Sequence, residues 1–213
     1  MNIYSCPQCG RSMQRKLKES VLVLCTNCNA KVFGTIDIPA ESHGVPDDYS
    51  VVQIGSTGKY RDKKFEIVGR IRMQMKDDFR SFWCATYDDD KNPTLWICQS
   101  LESIAFAADT FKPFPPKSDI DLNAGGKVVF GDKIKLYVNF VSAPLSIHYE
   151  GEIARFPRPD GRFVFVHAMN NSNSALVICV NNDLNDTEML WAHTRELADV
   201  QFENTRKFNE WPQ

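Results

Sequence analysis

Four cysteines in two close pairs carry the clearest chemistry in this sequence. Cys6-Pro7-Gln8-Cys9 and Cys25-Thr26-Asn27-Cys28 each set two thiols three positions apart, with fifteen residues between the pairs. Four thiolates at this spacing supply soft ligands at tetrahedral corners and leave no open position, the pattern of a structural Zn2+ site. Gly10 and Asn29 follow the pairs, and both tolerate the left-handed backbone of a tight turn around a metal. Two disulfides, or a redox or catalytic zinc, are the competing chemistries. An odd count of seven cysteines and no charged-then-apolar leader favour reduced thiols and a cytoplasmic protein.

A second constellation is His148, Glu150 and Glu152. In a strand alternate residues share a face, their Cα atoms about 6.6 Å apart. One imidazole and two carboxylates so placed could hold a metal or divide acid and base roles. The same alternation turns Ile147, Tyr149 and Ile153 inward, so a solvated charged face is the simpler reading. A third feature is the run 59–80, with eight basic and four acidic residues. Arg70 and Arg72, with Tyr60, Phe79 and Phe82 nearby, could meet nucleic-acid phosphates or anionic lipid, or form a solvated hairpin face.

His43 is a conceivable fifth ligand or an exposed linker residue. Asp88-Asp89-Asp90 lacks the ligand spacing of a calcium loop and reads as a hairpin tip. His167 and His193 lie in strand patterns and read as structural. Cys84, Cys98 and Cys179 lie in apolar runs and read as small buried hydrophobes. No Ser-His-Asp order or glycine-rich phosphate loop is visible.

These residues need elements to position them. The run Val21-Leu22-Val23-Leu24 predicts a hairpin carrying the second cysteine pair, which makes residues 1–38 a zinc ribbon. So small a unit folds only with the metal's help, worth on the order of 10 kcal/mol. Residues 39–50, with two prolines and scattered acids, read as a linker. The rest, 51–213, reads as a β-rich domain, an antiparallel sandwich or barrel, with candidate halves 51–111 and 127–208.

Period-two patterning puts Phe65, Ile67, Gly69, Ile71, Met73 and Met75 on one face and Glu66, Val68, Arg70, Arg72 and Gln74 on the other. Gly55, Gly58 and Gly69 mark turns or a bulge. Further strands are expected over 81–87, 94–98, 133–141, 145–153, 162–169, 175–180 and 187–194. Residues 101–111 fit helix or strand, and 112–116 break regular structure. The tail from 195 is polar and partly helical. Leu95-Trp96-Ile97-Cys98 echoes Leu176-Val177-Ile178-Cys179, a hint of a duplicated β-unit.

The 213 residues carry a net charge of −2. Residues 1–38 hold five basic and two acidic side chains, and the remainder 20 and 25. That is a poor footprint for nucleic acid. No apolar run is long enough to cross a bilayer as a helix.

From 51 to 208 the chain resembles a bacterial family known as a domain of unknown function, the 4178 family. The residues that carry the resemblance are Ile54-Gly55-Ser56-Thr57-Gly58, Phe65 to Ile71, Trp83, Tyr87, Leu95-Trp96-Ile97 and Glu150-Gly151-Glu152. The chain departs from it at Cys84-Ala85-Thr86, where acids are usual, and at Ala154-Arg155, where proline is frequent. The resemblance implies a preceding two-knuckle module and an envelope-linked role, with no activity attached. The functional expectation is a non-enzymatic zinc-binding adaptor with a protein partner, and a membrane surface reached through that partner. The alternatives are a nucleic-acid-binding zinc ribbon and a metal-dependent hydrolase.

Overall fold

A computed structural model describes residues 3–48, 50–91, 93–100, 104–108, 111–113, 119–121, 123–130, 134–156, 163–171, 174–180 and 183–207. The strands are β1 (Ile3–Ser5), β2 (Ser12–Gln14), β3 (Ser20–Leu24), β4 (Lys31–Gly34), β5 (Thr57–Tyr60), β6 (Lys63–Gln74), β7 (Phe79–Tyr87), β8 (Thr94–Gln99) and β9 (Ile104–Ala107). They continue as β10 (Lys112–Pro113), β11 (Asp119–Ile120), β12 (Lys127–Phe130), β13 (Ile134–Ser142), β14 (Ser146–Ala154), β15 (Val164–Met169), β16 (Ser174–Val180) and β17 (Asp183–Arg195). Single 3-10 turns occupy Ala40–Ser42 and Leu197–Val200, and no α-helix occurs among the described residues.

β1 and β2 form their own hairpin. All other strands join one antiparallel path, β11-β12-β13-β15-β16-β17-β9-β8-β7-β6-β14-β3-β4, with β5 on β6 and β10 on β17. β17 is long enough to serve two neighbourhoods: Met189 and Glu188 pair β10, and His193 to Arg195 pair β9. The path folds over there, so its two halves face each other as in a sandwich, and it does not close into a barrel. Between them lies the main core. Phe82 and Trp96 from one half meet Phe165 and Leu190 from the other, with Phe156, just after β14, beside them. Phe82 stands edge-on to Phe156 at 5.2 Å and to Phe165 at 5.7 Å, a favoured aromatic geometry. The outer face of β6–β9 buries Phe65, Trp83, Leu95 and Phe106 under Val52, Val200 and Phe202.

The expected strands are present, most within two residues of their predicted bounds, although β17 starts four residues earlier. The ambiguous 101–111 segment holds a strand at Ile104–Ala107, and Lys112–Pro113 pairs β17 where a break was expected. The single-face reading of 65–75 needs correction. Register slips between Ile67 and Gly69 against β7, leaving Val68 as the extra residue of a bulge. A one-residue insertion flips every later side chain. Phe65 and Ile67 therefore share the outer face with Arg70, while Val68, Ile71 and Met73 face the main core.

The ribbon does not stand apart from the body. β3 pairs β14 through Glu152↔Val23 and Ile153↔Leu22, so the β3–β4 hairpin extends the large sheet. Residues 39–50, read as a linker, run along β14. The Gly44 N–H donates to the Tyr149 carbonyl at 2.7 Å, and His43 bridges Tyr149. β14, from the candidate second half, lies between β6 of the first half and β3 of the ribbon.

Candidate metal centre and its neighbours

Each cysteine pair sits at the turn of a hairpin, Cys6–Cys9 between β1 and β2, Cys25–Cys28 between β3 and β4. The two turns repeat the same backbone bonds. Gly10 N–H donates to Cys6 C=O (2.9 Å) and Asn29 N–H to Cys25 C=O (2.8 Å). Cys6 N–H donates to Arg11 C=O and Cys25 N–H to Ala30 C=O, both 2.9 Å. Gly10 and Asn29 take φ of 71° and 59°, as the sequence predicted.

The four sulfurs lie within 4.8 Å of one another. Cys6 and Cys28 Sγ are 3.5 Å apart, and Cys9 and Cys25 Sγ are 3.6 Å apart. A disulfide needs about 2 Å. Four sulfurs held tetrahedrally at ~2.3 Å from an ion stand about 3.8 Å apart, which these spacings match. Backbone N–H groups aim at the sulfurs: that of Arg11 leads in lowering the Cys9 thiol to about 6, and that of Cys9 lowers Cys6. The Ala30 N–H acts likewise on Cys28, yet burial and the other three sulfurs outweigh it and push that thiol up to about 12. Crowded thiolates repel one another, and a cation at their centre removes the conflict.

Glu152 ties this unit to the body. Its buried carboxylate accepts the Lys16 N–H (2.8 Å) and the Leu17 N–H (2.7 Å). The Ser20 hydroxyl lies between that carboxylate and the Leu17 carbonyl. Lys16 Nζ adds an ion pair with Glu66. The backbone makes room by glycine. Gly151 has φ of 67° and pairs with Gly69, and a Cβ on Gly69 would stand 2.1 Å from the Glu152 carbonyl oxygen.

The turn at Gly151 separates the two glutamates that sequence spacing put on one face. Glu150 stays with Arg70, and Glu152 is buried under the ribbon rather than facing water. His148 pairs in register with Arg72. Among the described residues, the cysteine cluster is the one group of three or more side chains placed to share a metal.

Arg70 and Arg72 are held inside a charged cluster and do not form an open basic surface. Asp48, from the presumed linker, bonds both guanidinium groups, and Arg206 reaches it at 3.4 Å. Arg70 is 1% exposed, lies 4.3 Å over the Trp83 ring and donates to Ser81 Oγ at 2.8 Å. Arg72 lies 4.5 Å over Phe79. Burial alone would raise the Asp48 carboxyl, but Arg70, the Ser50 N–H and Arg72 hold it below its ordinary value. Arg80 is buried beside Asp78, and Lys59, Arg61, Lys64 and Lys76 are the exposed residues of the basic run.

Asp48 and Arg206 were not anticipated. Their signal was indirect, since two arginines on one strand face need an anion, and distant residues supply it. Cys84 and Cys98 are buried, with thiols pushed up to about 12 by burial; the Cys179 side chain lies outside the described residues. His167 is buried and its imidazole held down to about 4 by burial and Arg80, as a neutral core histidine. His43 has a buried Nε2 with no hydrogen bond. Asp89 pairs Lys63 at 2.5 Å, with Asp88 and Asp90 exposed at the hairpin tip. Comparison with protein-family models, curated proteins and solved structures found no match to this chain.

Proposed function

We propose that the chain is a zinc-stabilised, non-enzymatic binding protein whose ribbon and β body act as one unit. The observation that carries this is the pairing of two knuckles into one four-sulfur cluster on two hairpins, one of which, β3–β4, is fused to the body's sheet. Thiolate ligands and tetrahedral spacing select zinc over hard cations. Four protein ligands close the shell, which gives the ion a structural task. Of His148, Glu150 and Glu152, which a hydrolase reading would use together, Glu152 already accepts ribbon donors. Arg70 and Arg72, which a nucleic-acid reading would use, face Asp48. A protein partner at the cell envelope is the role the family resemblance adds to this reading.

Elemental analysis of protein purified without chelators is expected to give one zinc per chain. Cys25→Ser with Cys28→Ser should abolish it. Anaerobically purified, folded protein without zinc would overturn the reading. So would a turnover activity abolished by Glu150→Gln in protein that keeps its zinc.

A further inference from the structure

A cleft runs between the second cysteine knuckle and the charged cluster of the body. It is a solvent-open cleft of about 370 Å3, lined by Arg11, Thr26, Asn29, Gln53, Glu150 and Arg206, with Ile54 as an apolar wall. Glu150 is its unusual member. The side chain is 24% exposed, and its one ion-pair partner among the described residues is Arg70 Nη1 at 3.9 Å, beyond hydrogen-bond reach. Burial raises this carboxyl above its ordinary value, although Arg70 and Arg206 oppose the shift. Its neighbours are treated differently: Asp48 receives three arginines, and Glu152 is met by two backbone N–H groups and a hydroxyl.

Glu150 is a part-covered carboxylate that accepts no hydrogen bond from the described residues, and such a group on the wall of a polar cleft is a candidate ligand contact. The same cleft is lined by donors with capacity to spare. Arg206 commits Nη1 to Asp48 and keeps its other N–H groups. The side chains of Arg11, Thr26 and Asn29 make no hydrogen bond among the described residues.

Charge decides the ligand class. A plain cation on Glu150 would meet Arg11 and Arg206; a plain anion on the arginines would meet Glu150. A molecule with an ammonium and an oxyanion a few bonds apart suits both. We propose that the cleft binds a small zwitterion of the α-amino-acid or phosphoethanolamine type, with its ammonium on Glu150 and its oxyanion on Arg206 and Arg11. Asn29, Gln53 and Thr26 meet its remaining polar atoms, and Ile54 an apolar substituent. Thr26 and Asn29 belong to the knuckle, so this site rests on the metal reading above.

The test titrates protein of measured zinc content with L-glutamine and, separately, O-phosphoethanolamine, reading amide chemical shifts and heat. Acetate and ethylammonium serve as half-ligands. One zwitterion is expected to bind 1:1 and at least about tenfold tighter than either half. Glu150→Gln and Arg11→Met should each weaken it about fivefold or more with melting temperature maintained. Tighter binding of glutamine assigns an amino acid; tighter binding of phosphoethanolamine assigns a phosphate. Zinc-loaded protein that binds neither probe at about 10 mM, or a Glu150→Gln protein that binds as wild type, overturns the cleft proposal alone. Folded, zinc-free protein that binds a zwitterion would instead sink the metal reading and leave the cleft.

Discussion

Two carboxylates beside Arg70, Asp48 from the 39–50 segment and Glu150 from β14, show how environment sets a residue's role. Asp48 is 7% exposed at its side chain and ion-paired. Its folded-state carboxyl is depressed, so its contribution to stability is complete above the ordinary value of 3.8 and is lost as pH falls through the lowered one. Asp48→Asn leaves buried guanidinium groups without their anion, at a cost of about 3–5 kcal/mol near pH 7. Thermal unfolding should fall by about 10 °C, and the gap from wild type should close below pH 4. Glu150 has the opposite sign. Burial raises it from 4.5, so its stabilising protonated form is lost as pH rises through the folded value. Glu150→Gln should therefore unfold at or above the wild-type temperature at pH 7. A marked loss there would show that Glu150 has a structural partner. The four-cysteine cluster was legible in the sequence because each knuckle is a local turn with its own spacing. Asp48 was not, since the packing of its loop against β6, and not proximity along the chain, brings it to its arginines.

At the level of the strand, glycine and one surplus residue decide which way side chains point. Gly69 lets β6 and β14 approach until a Cβ would stand 2.1 Å from a carbonyl oxygen, and backbone there cannot give way as a flexible side chain can. Gly69→Ala is expected to cost about 3 kcal/mol. At Gly10 nothing lies within 4 Å of a built Cβ, so Gly10→Ala meets only the positive-φ penalty of about 1–2 kcal/mol. Urea midpoints at unchanged slope would rank the two, and a Gly69→Ala protein as stable as wild type would refute the close approach. Alternation located the strands, as in β7, where Phe82 and Cys84 face one core and Trp83 and Ala85 the other. It failed at Val68 because period-two counting assumes an uninterrupted ladder. The glycine signal beside it announced a bulge but not on which side of Gly69 the surplus residue falls.

For the molecule as a whole, the β3–β4 arm of the four-cysteine unit and the sandwich share one sheet, so disturbing one is felt in the other. Strong chelation should raise hydrogen exchange beyond the knuckles, at Lys16 and Leu17 and along Tyr149 to Ala154, because Glu152 would be left buried without donors. Exchange confined to residues 3–34 would show the two parts to be independent. The β class was readable from turn-punctuated runs such as 94–98 and 175–180. The fused architecture was not, because β14 enters the first half's sheet by a topological choice that no local pattern encodes. The β3–β14 seam also has a consequence in time. Leu17 and Glu152 are 135 residues apart, and a ribosome adding ~5–20 residues each second separates their emergence by on the order of 10 s. The sulfur cluster closes over a span of just 22 residues, so the knuckles can assemble early while the edge of Val21 to Leu24 waits uncovered. During that interval of synthesis this nascent edge is the stretch most open to a neighbouring polysome's chain.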